Sequence, residues 1–184
     1  RFRGPAAKFP AYEYHRNPKT LKGRAGSFRL KRGYMATLAE RADGSGFSRV
    51  YVAQDRDLEM PELPAALRNR ASFVRVIPWR WTAKKGWCGG WVPEMTVSWR
   101  YDWDNAAAST PDTEYVPMRH NKNWNAYENI NAKRDSTHVL AFNEPERADQ
   151  AKMTVAEALE QWPRLLESGL RLGSPAPSDG GLGW

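Results

Sequence analysis

The chain has 184 residues, the size of one ordinary domain or of one domain with an extension. A composition 41% hydrophobic and 27% charged excludes a disordered chain and a collagenous repeat, and no run approaches the roughly 18 apolar residues of a membrane-spanning helix. A single cysteine, Cys88, excludes an internal disulfide framework, which leaves a net charge of +7 and nine tryptophans to be explained.

The charge is concentrated at the start. Residues 1–32 hold ten Lys and Arg against Glu13 alone, a balance of +9, while the remainder is at −2. Residues 1–26 also carry Pro5, Pro10, Pro18, Gly4, Gly23 and Gly26 without helical or strand periodicity, so they are expected to form a basic arm or linker. A solvated connection and an anion-binding surface both fit this composition. No zinc-finger, helix-turn-helix or aromatic RNA-binding signature accompanies the charge, and nucleic acid is not an expected partner. The chain begins at Arg1 with no apolar signal-peptide core.

Residues 27–78 read as a small β-rich module. Phe28-Arg29-Leu30-Lys31 alternates apolar and basic residues, Arg49-Val50-Tyr51-Val52 is β-branched and aromatic, and Asp43-Gly44-Ser45-Gly46 is a turn cluster between them. Leu58 to Leu67, broken by Pro61 and Pro64, predicts a loop with a helical turn. Ser72 to Ile77 predicts a further strand, stopped by Pro78. The module fits a structural spacer or a sugar-binding accessory, and its strand pattern is similar to a βγ-crystallin-like sheet.

Residues 79–184 have a different texture. Trp79, Trp81, Trp87, Trp91, Trp99, Trp103 and Trp124 fall in one stretch of 46 residues. Flat aromatic faces suit the C–H faces of pyranose rings, and each buried indole N–H needs a partner, so packing and ligand-facing tryptophans are both expected. Strands are predicted over Val97–Tyr101, Glu114–Met118, His138–Phe142 and Leu170–Ser174. A helix is predicted from the Thr154/Glu157 capping box, with Val155, Ala158, Leu159, Trp162 and Leu165 on one face and Gly169 as terminator. Pro163 is expected to kink it or to start a new turn. Alternating strands and helices imply an α/β parallel sheet, open or closed into a barrel, and no glycine-rich phosphate loop follows any strand.

In such a sheet, reactive groups sit where strands end. Glu144, between Asn143 and Pro145 after an apolar strand, is placed to act as a general acid. Asn143 beside it could bond a sugar hydroxyl. His15, His120 and His138 show no metal-ligand spacing, so no metal and no cofactor is expected. Cys88 is expected to be a packed thiol.

The chain here resembles glycoside hydrolase family 128, barrel enzymes acting mainly on β-1,3-glucans. The resemblance rests on Lys84-Lys85-Gly86-Trp87-Cys88, Ser98-Trp99-Arg100-Tyr101-Asp102-Trp103, Tyr115-Val116-Pro117-Met118, His138 through Glu146, Gln150 with Met153-Thr154, Trp162, and Leu172-Gly173-Ser174-Pro175-Ala176. It implies a partial (β/α)8 TIM-type barrel, about five of eight strands, over 79–184. It also implies a retaining mechanism with Glu144 as acid/base. Asn143, Trp99, Tyr101, Asp102, Trp103, Arg119 and Trp124 are the substrate-binding candidates, with His120 beside Arg119; Arg100 and Asp102 stand where the family usually has Tyr and Asn. The family's nucleophile lies in a Thr-Glu-Phe-like motif after the seventh strand and is expected beyond Trp184. Asp102, Asp104, Glu114 and Asp179 do not match it. The expected partner is a β-glucan polysaccharide or oligosaccharide, met outside the cell or at its surface. A non-catalytic carbohydrate-binding protein using the tryptophan-lined cleft is the alternative, and oligomeric state is not legible.

Overall fold

A computed structural model describes residues 2, 4–21, 23–90, 92 and 94–184; Arg1, Arg3 and Lys22 of the basic segment, Trp91 of the tryptophan run and Pro93 lie outside the described residues. The chain divides into two compact units, Arg1–Trp79 and Arg80–Trp184.

The first unit is built from β1 (Tyr14–Arg16), β2 (Phe28–Leu30), β3 (Tyr34–Ala39), β4 (Ser48–Ala53), β5 (Leu58–Met60) and β6 (Phe73–Pro78). β1, β6, β3 and β4 lie side by side in that order in an antiparallel sheet, and β2 pairs with β5. Sequence periodicity missed β3. Met35 to Ala39 are all buried, so this central strand has no polar face and no alternation to reveal it. The predicted turn after it forms as expected, with the Asp43 carboxylate accepting from Ser45 N at 2.9 Å and Ser45 Oγ at 2.6 Å. Leu30, Leu38, Tyr51, Leu63 and Leu67 fill the core.

Two expectations for this unit are corrected. Residues 1–26 are not only an arm: Tyr14–Arg16 forms an edge strand on β6, and Asn17 N donates to Ser72 O at 2.7 Å. The Tyr14 ring lies 4.3 Å from the buried Arg75 guanidinium, a contact that sequence periodicity over three residues cannot register. The expected loop at 58–67 begins with a strand, β5, whose three residues are likewise too few for a pattern.

The second unit is mixed α/β. It comprises β7 (Gly86–Cys88), β8 (Trp99–Tyr101), β9 (Glu114–Tyr115), α1 (Tyr127–Asn131), β10 (His138–Val139), α2 (Val155–Leu166), β11 (Arg171–Leu172) and a 3-10 turn at Asp179–Gly181. Every strand pairing among its described residues is parallel: β7 with β8, β8 with β9, β10 with β11, plus bridges from Met118 to Leu140 and from Asn143 to Ala176. Five segments, 86–88, 99–101, 114–118, 138–143 and 171–176, therefore run side by side in chain order. The connections 89–98 and 102–113 contain no helix among the described residues, so helices alternate with strands only in the second half.

The starts of β9 and β10 are locked by Glu114. Its fully buried carboxylate accepts from Thr137 N at 2.5 Å, Thr137 Oγ1 at 3.0 Å and His138 N at 3.0 Å. In α2 the capping box forms as predicted, with Thr154 Oγ1 accepting from Glu157 N and the Glu157 carboxylate accepting from Thr154 N. The helix runs through Pro163, and Gly169 follows its end at φ 65°. Of the predicted apolar face, Ala158 and Leu165 are buried whereas Val155 and Leu159 are exposed; the apolar stripe is wider than the surface it packs on.

Candidate active site

Parallel strands deliver all their C-terminal ends to one edge, so residues just past those ends gather there. A cavity of about 460 Å³ opens at that edge, lined by Tyr101, Trp103, His120, Asn143, Glu144 and Gln150. Tyr101 ends β8, Trp103 follows by two, His120 lies two past Met118, and Asn143 and Glu144 close the β10 segment. The two non-glycine residues Trp103 and Glu144 have φ of 61° and 42°. Left-handed backbone at such residues costs energy and persists where surrounding structure fixes it, often at functional sites. Of the six non-glycine residues with positive φ among the described residues, these two line the cavity.

Glu144 is held from two directions. Its N–H donates to Ala176 O at 2.9 Å, tying it to the β11 segment, and its Oε2 lies 3.2 Å from Arg147 Nη1. Arg147 also grips Asp149 in a two-pronged bond, Nε to Oδ1 at 3.0 Å and Nη2 to Oδ2 at 2.7 Å. That fork raises the Arg147 guanidinium's pKa and depresses the Asp149 carboxyl's. Asn143 donates through Nδ2 to Gln150 Oε1 at 3.1 Å, which orients both amides at the cavity wall.

The aromatic wall follows the two-residue period of an extended chain. The Tyr101 ring stacks on Trp99 at 6.3 Å and meets Trp103 edge-on at 5.7 Å. Trp99 lies behind Tyr101 rather than on the cavity: its indole N–H donates to Ala83 O at 3.2 Å, and its ring fills the space where Gly86 lacks a Cβ. Trp124 is about half exposed, with its ring 5.4 Å from that of His120. The Tyr101 phenol is pushed up to about 12, first by its hydrogen bond with the Cys88 thiol and then by burial. Cys88 itself is exposed, not packed.

Besides Trp99, two of the expected substrate contacts are engaged elsewhere. Asp102 Oδ1 accepts from the buried Tyr115 hydroxyl at 2.6 Å, and its Oδ2 lies 3.4 Å from Arg100 Nη1. Arg119 is buried, with its guanidinium 4.0 Å from the Tyr127 ring and Nη2 donating to Lys122 O at 2.6 Å. Neither lines the cavity. Adjacent residues of an extended segment face opposite sides, so His120 takes the cavity side and Arg119 the packing side. Burial lowers the His120 pKa. Of the remaining carboxylates, Asp104 Oδ1 accepts from Asn105 N and Asn125 Nδ2, Glu114 sits at the opposite end of its strand, and Asp179 is exposed. Gln150 and the Arg147–Asp149 pair are the site features that sequence reasoning did not single out, whereas His120 was expected at the cleft beside Arg119. Gln150 stood within the motif set, without a role.

These features define a parallel α/β unit with an acidic, aromatic-walled site at its strand ends. The family described as glycosyl hydrolase catalytic core matches residues 80–184, more than half of the chain, and the chain belongs to that family. No curated protein matches the chain. Among solved structures it is similar to a family 128 subgroup I endo-β-1,3-glucanase from Amycolatopsis mediterranei in complex with laminaritriose and laminaribiose, at 34% identity over 53% of this chain and 45% of that one, TM-score 0.46. It is also similar to a subgroup II endo-β-1,3-glucanase from Pseudomonas viridiflava, at 30% identity over 45% and 38%, TM-score 0.39. A third is a subgroup III curdlan-specific exo-β-1,3-glucanase from Blastomyces gilchristii in complex with glucose, at 38% identity over 46% and 40%, TM-score 0.37. The chain spans less than half the length of each of these proteins.

Proposed function

We propose that residues 80–184 form the first five strands of a (β/α)8 glycoside hydrolase barrel that cleaves β-1,3-glucan with retention, Glu144 acting as acid/base. The observation that carries this reading is the position of Glu144. It ends the fourth of five parallel segments, beside Asn143, in a cavity walled by Tyr101 and Trp103. The motif set shared with glycoside hydrolase family 128 supports the choice of glucan.

In the first step Glu144 donates a proton to the glycosidic oxygen as the bond to the anomeric carbon breaks, and a carboxylate nucleophile attacks from the opposite face. In the second step Glu144, now a carboxylate, takes a proton from the incoming water as that water displaces the enzyme carboxylate. Arg147 orients Glu144 in its carboxylate form; when Glu144 carries the proton, the guanidinium keeps its two-pronged bond to Asp149. The nucleophile must lie about 5–5.5 Å from Glu144. None of Asp102, Asp104, Glu114 and Asp179 is free at the cavity, so we assign the role to a later barrel strand, beyond Trp184. A polymeric glucan is met outside the cell, and the reading carries export with it.

The test is laminarin hydrolysis by the protein extended through the later strands, with proton NMR of the first-formed anomer. Products with the β-configuration and loss of activity in Glu144→Gln are expected. Inverted products, or equal activity in the variant, would contradict the mechanism.

A further inference from the structure

The cavity contains an imidazole whose protonation state is fixed by its neighbours. Asn121 Oδ1 accepts two backbone hydrogen bonds, from Asn123 N and Trp124 N, each at 2.8 Å. A flipped amide would turn an NH2 group toward both donors, so its orientation is determined. Asn121 Nδ2 therefore faces His120 Nδ1, at 3.2 Å. An amide nitrogen can only donate, so Nδ1 is the acceptor and is unprotonated. A neutral imidazole with a bare Nδ1 carries its proton on Nε2.

The surroundings keep the ring neutral and still. Burial disfavours the charged form of His120. The Trp124 ring flanks it at 5.4 Å, its own N–H donates to Asn125 Oδ1 at 3.3 Å, and Asn143 N donates to its carbonyl at 3.1 Å. Nε2 has no hydrogen-bond partner among the described residues. The Asn143 amide on the same wall is engaged with Gln150.

We propose that His120 is a substrate-binding residue whose Nε2–H donates to a sugar oxygen in the Glu144 cavity, and that Asn121 is the positioning residue that sets its tautomer. The inference rests on the glucan reading above and adds to it a named donor and the group that arms it.

The test is long-range proton–nitrogen NMR of the imidazoles in the full chain, with laminaritriose as the probe. At neutral pH His120 is expected to be protonated on Nε2 alone, and that signal is expected to shift on titration together with those of Asn143 and Glu144. Asn121→Asp keeps acceptors for the two backbone N–H groups but presents an acceptor to Nδ1, moving the ring proton there. Laminaritriose affinity should then fall by about 10-fold, the size of one lost hydrogen bond. His120→Gln, whose amide N–H reaches the Nε2 position, should stay within about 3-fold of the parent, while His120→Asn, whose amide overlays Nδ1, should lose about 10-fold. A proton on Nδ1 in the parent, or equal affinities for the Gln and Asn variants, overturns the proposal. Shifts at Asn143 and Glu144 without any at His120 also overturn it and leave the glucan reading standing. No shift at any of the three overturns both.

Discussion

Glu114 and Glu144 lie at opposite ends of neighbouring parallel segments and do opposite things. Glu144 faces a cavity beside one arginine, while Glu114 is fully buried and accepts the N–H groups of Thr137 and His138 and the Thr137 hydroxyl. Removing Glu114 strands those donors in the core, at about 1–3 kcal/mol for each unsatisfied group. Glu114→Ala is expected to destabilise the chain by about 3 kcal/mol or more in urea denaturation, and Glu114→Gln, which still offers one acceptor, by less. Glu144→Ala, with no buried dependants, should leave the same curve within about 0.5 kcal/mol. Residue roles were partly legible in the sequence. Asn143-Glu144-Pro145 after an apolar run marked the strand end. The two-residue period already separates Tyr101 and Trp103 from Arg100 and Asp102, and it allows only one of Arg119 and His120 to face the cavity. Which one does so depends on how the β9 segment pairs with its neighbours, and no local pattern encodes that.

Element by element, legibility followed length. The helix α2 was readable down to its capping box because twelve residues carry both periodicity and a cap. β1 and β5 were not readable, since three residues give no period, and β3 was hidden by its burial on both faces. Two predictions belong at this scale. The first concerns Gly86 in β7, where an added Cβ would lie 2.1 Å from Trp99 Cε2. The indole is backed by Tyr101 and bonded to Ala83 O, so it cannot simply move away. Gly86→Ala should cost about 1–3 kcal/mol in chemical denaturation and disturb the near-ultraviolet tryptophan signal. The second concerns the start of α2. Lys122 bonds Glu157, and that bond with the Thr154 backbone N–H lowers the Glu157 carboxyl to about 2 from an ordinary 4.5. A depressed folded-state value means the unfolded chain binds the proton first as pH falls. The contribution is therefore complete above pH 4.5 and lost between there and pH 2. Melting temperatures of the parent and Glu157→Gln should differ near neutrality and converge across that acid window; a constant gap would exclude the linkage.

On the scale of the whole molecule, the chain joins an antiparallel β unit to a parallel α/β unit, and its charge does not follow its chemistry. The +9 segment over residues 1–32 precedes a remainder at −2, and part of that segment is an edge strand rather than a tail. Deleting residues 1–26 would remove β1 and uncover Arg75 and Phe73, so it should lower the melting temperature of the first unit. A detached arm would leave melting unchanged. The two-part organisation was visible as a change of texture near residue 79, because tryptophans and parallel-strand motifs begin there together. The side-by-side order of the parallel strands was not visible from pattern alone, since it depends on contacts between segments far apart in sequence.

The central claim is that Glu144 supplies the proton and is not the nucleophile. The most direct measurement compares the parent with Glu144→Gln, in the protein extended through the later strands, on laminarin and on a β-glucoside whose activated aryl leaving group departs without protonation. General acid catalysis contributes about 10²–10⁴-fold, so laminarin hydrolysis should fall by that order. Aryl release should show a first turnover at nearly the parent rate, followed by slow release of the glycosyl enzyme because the base for water is gone. Loss of the first aryl turnover as well would contradict the account and identify Glu144 as the attacking carboxylate instead.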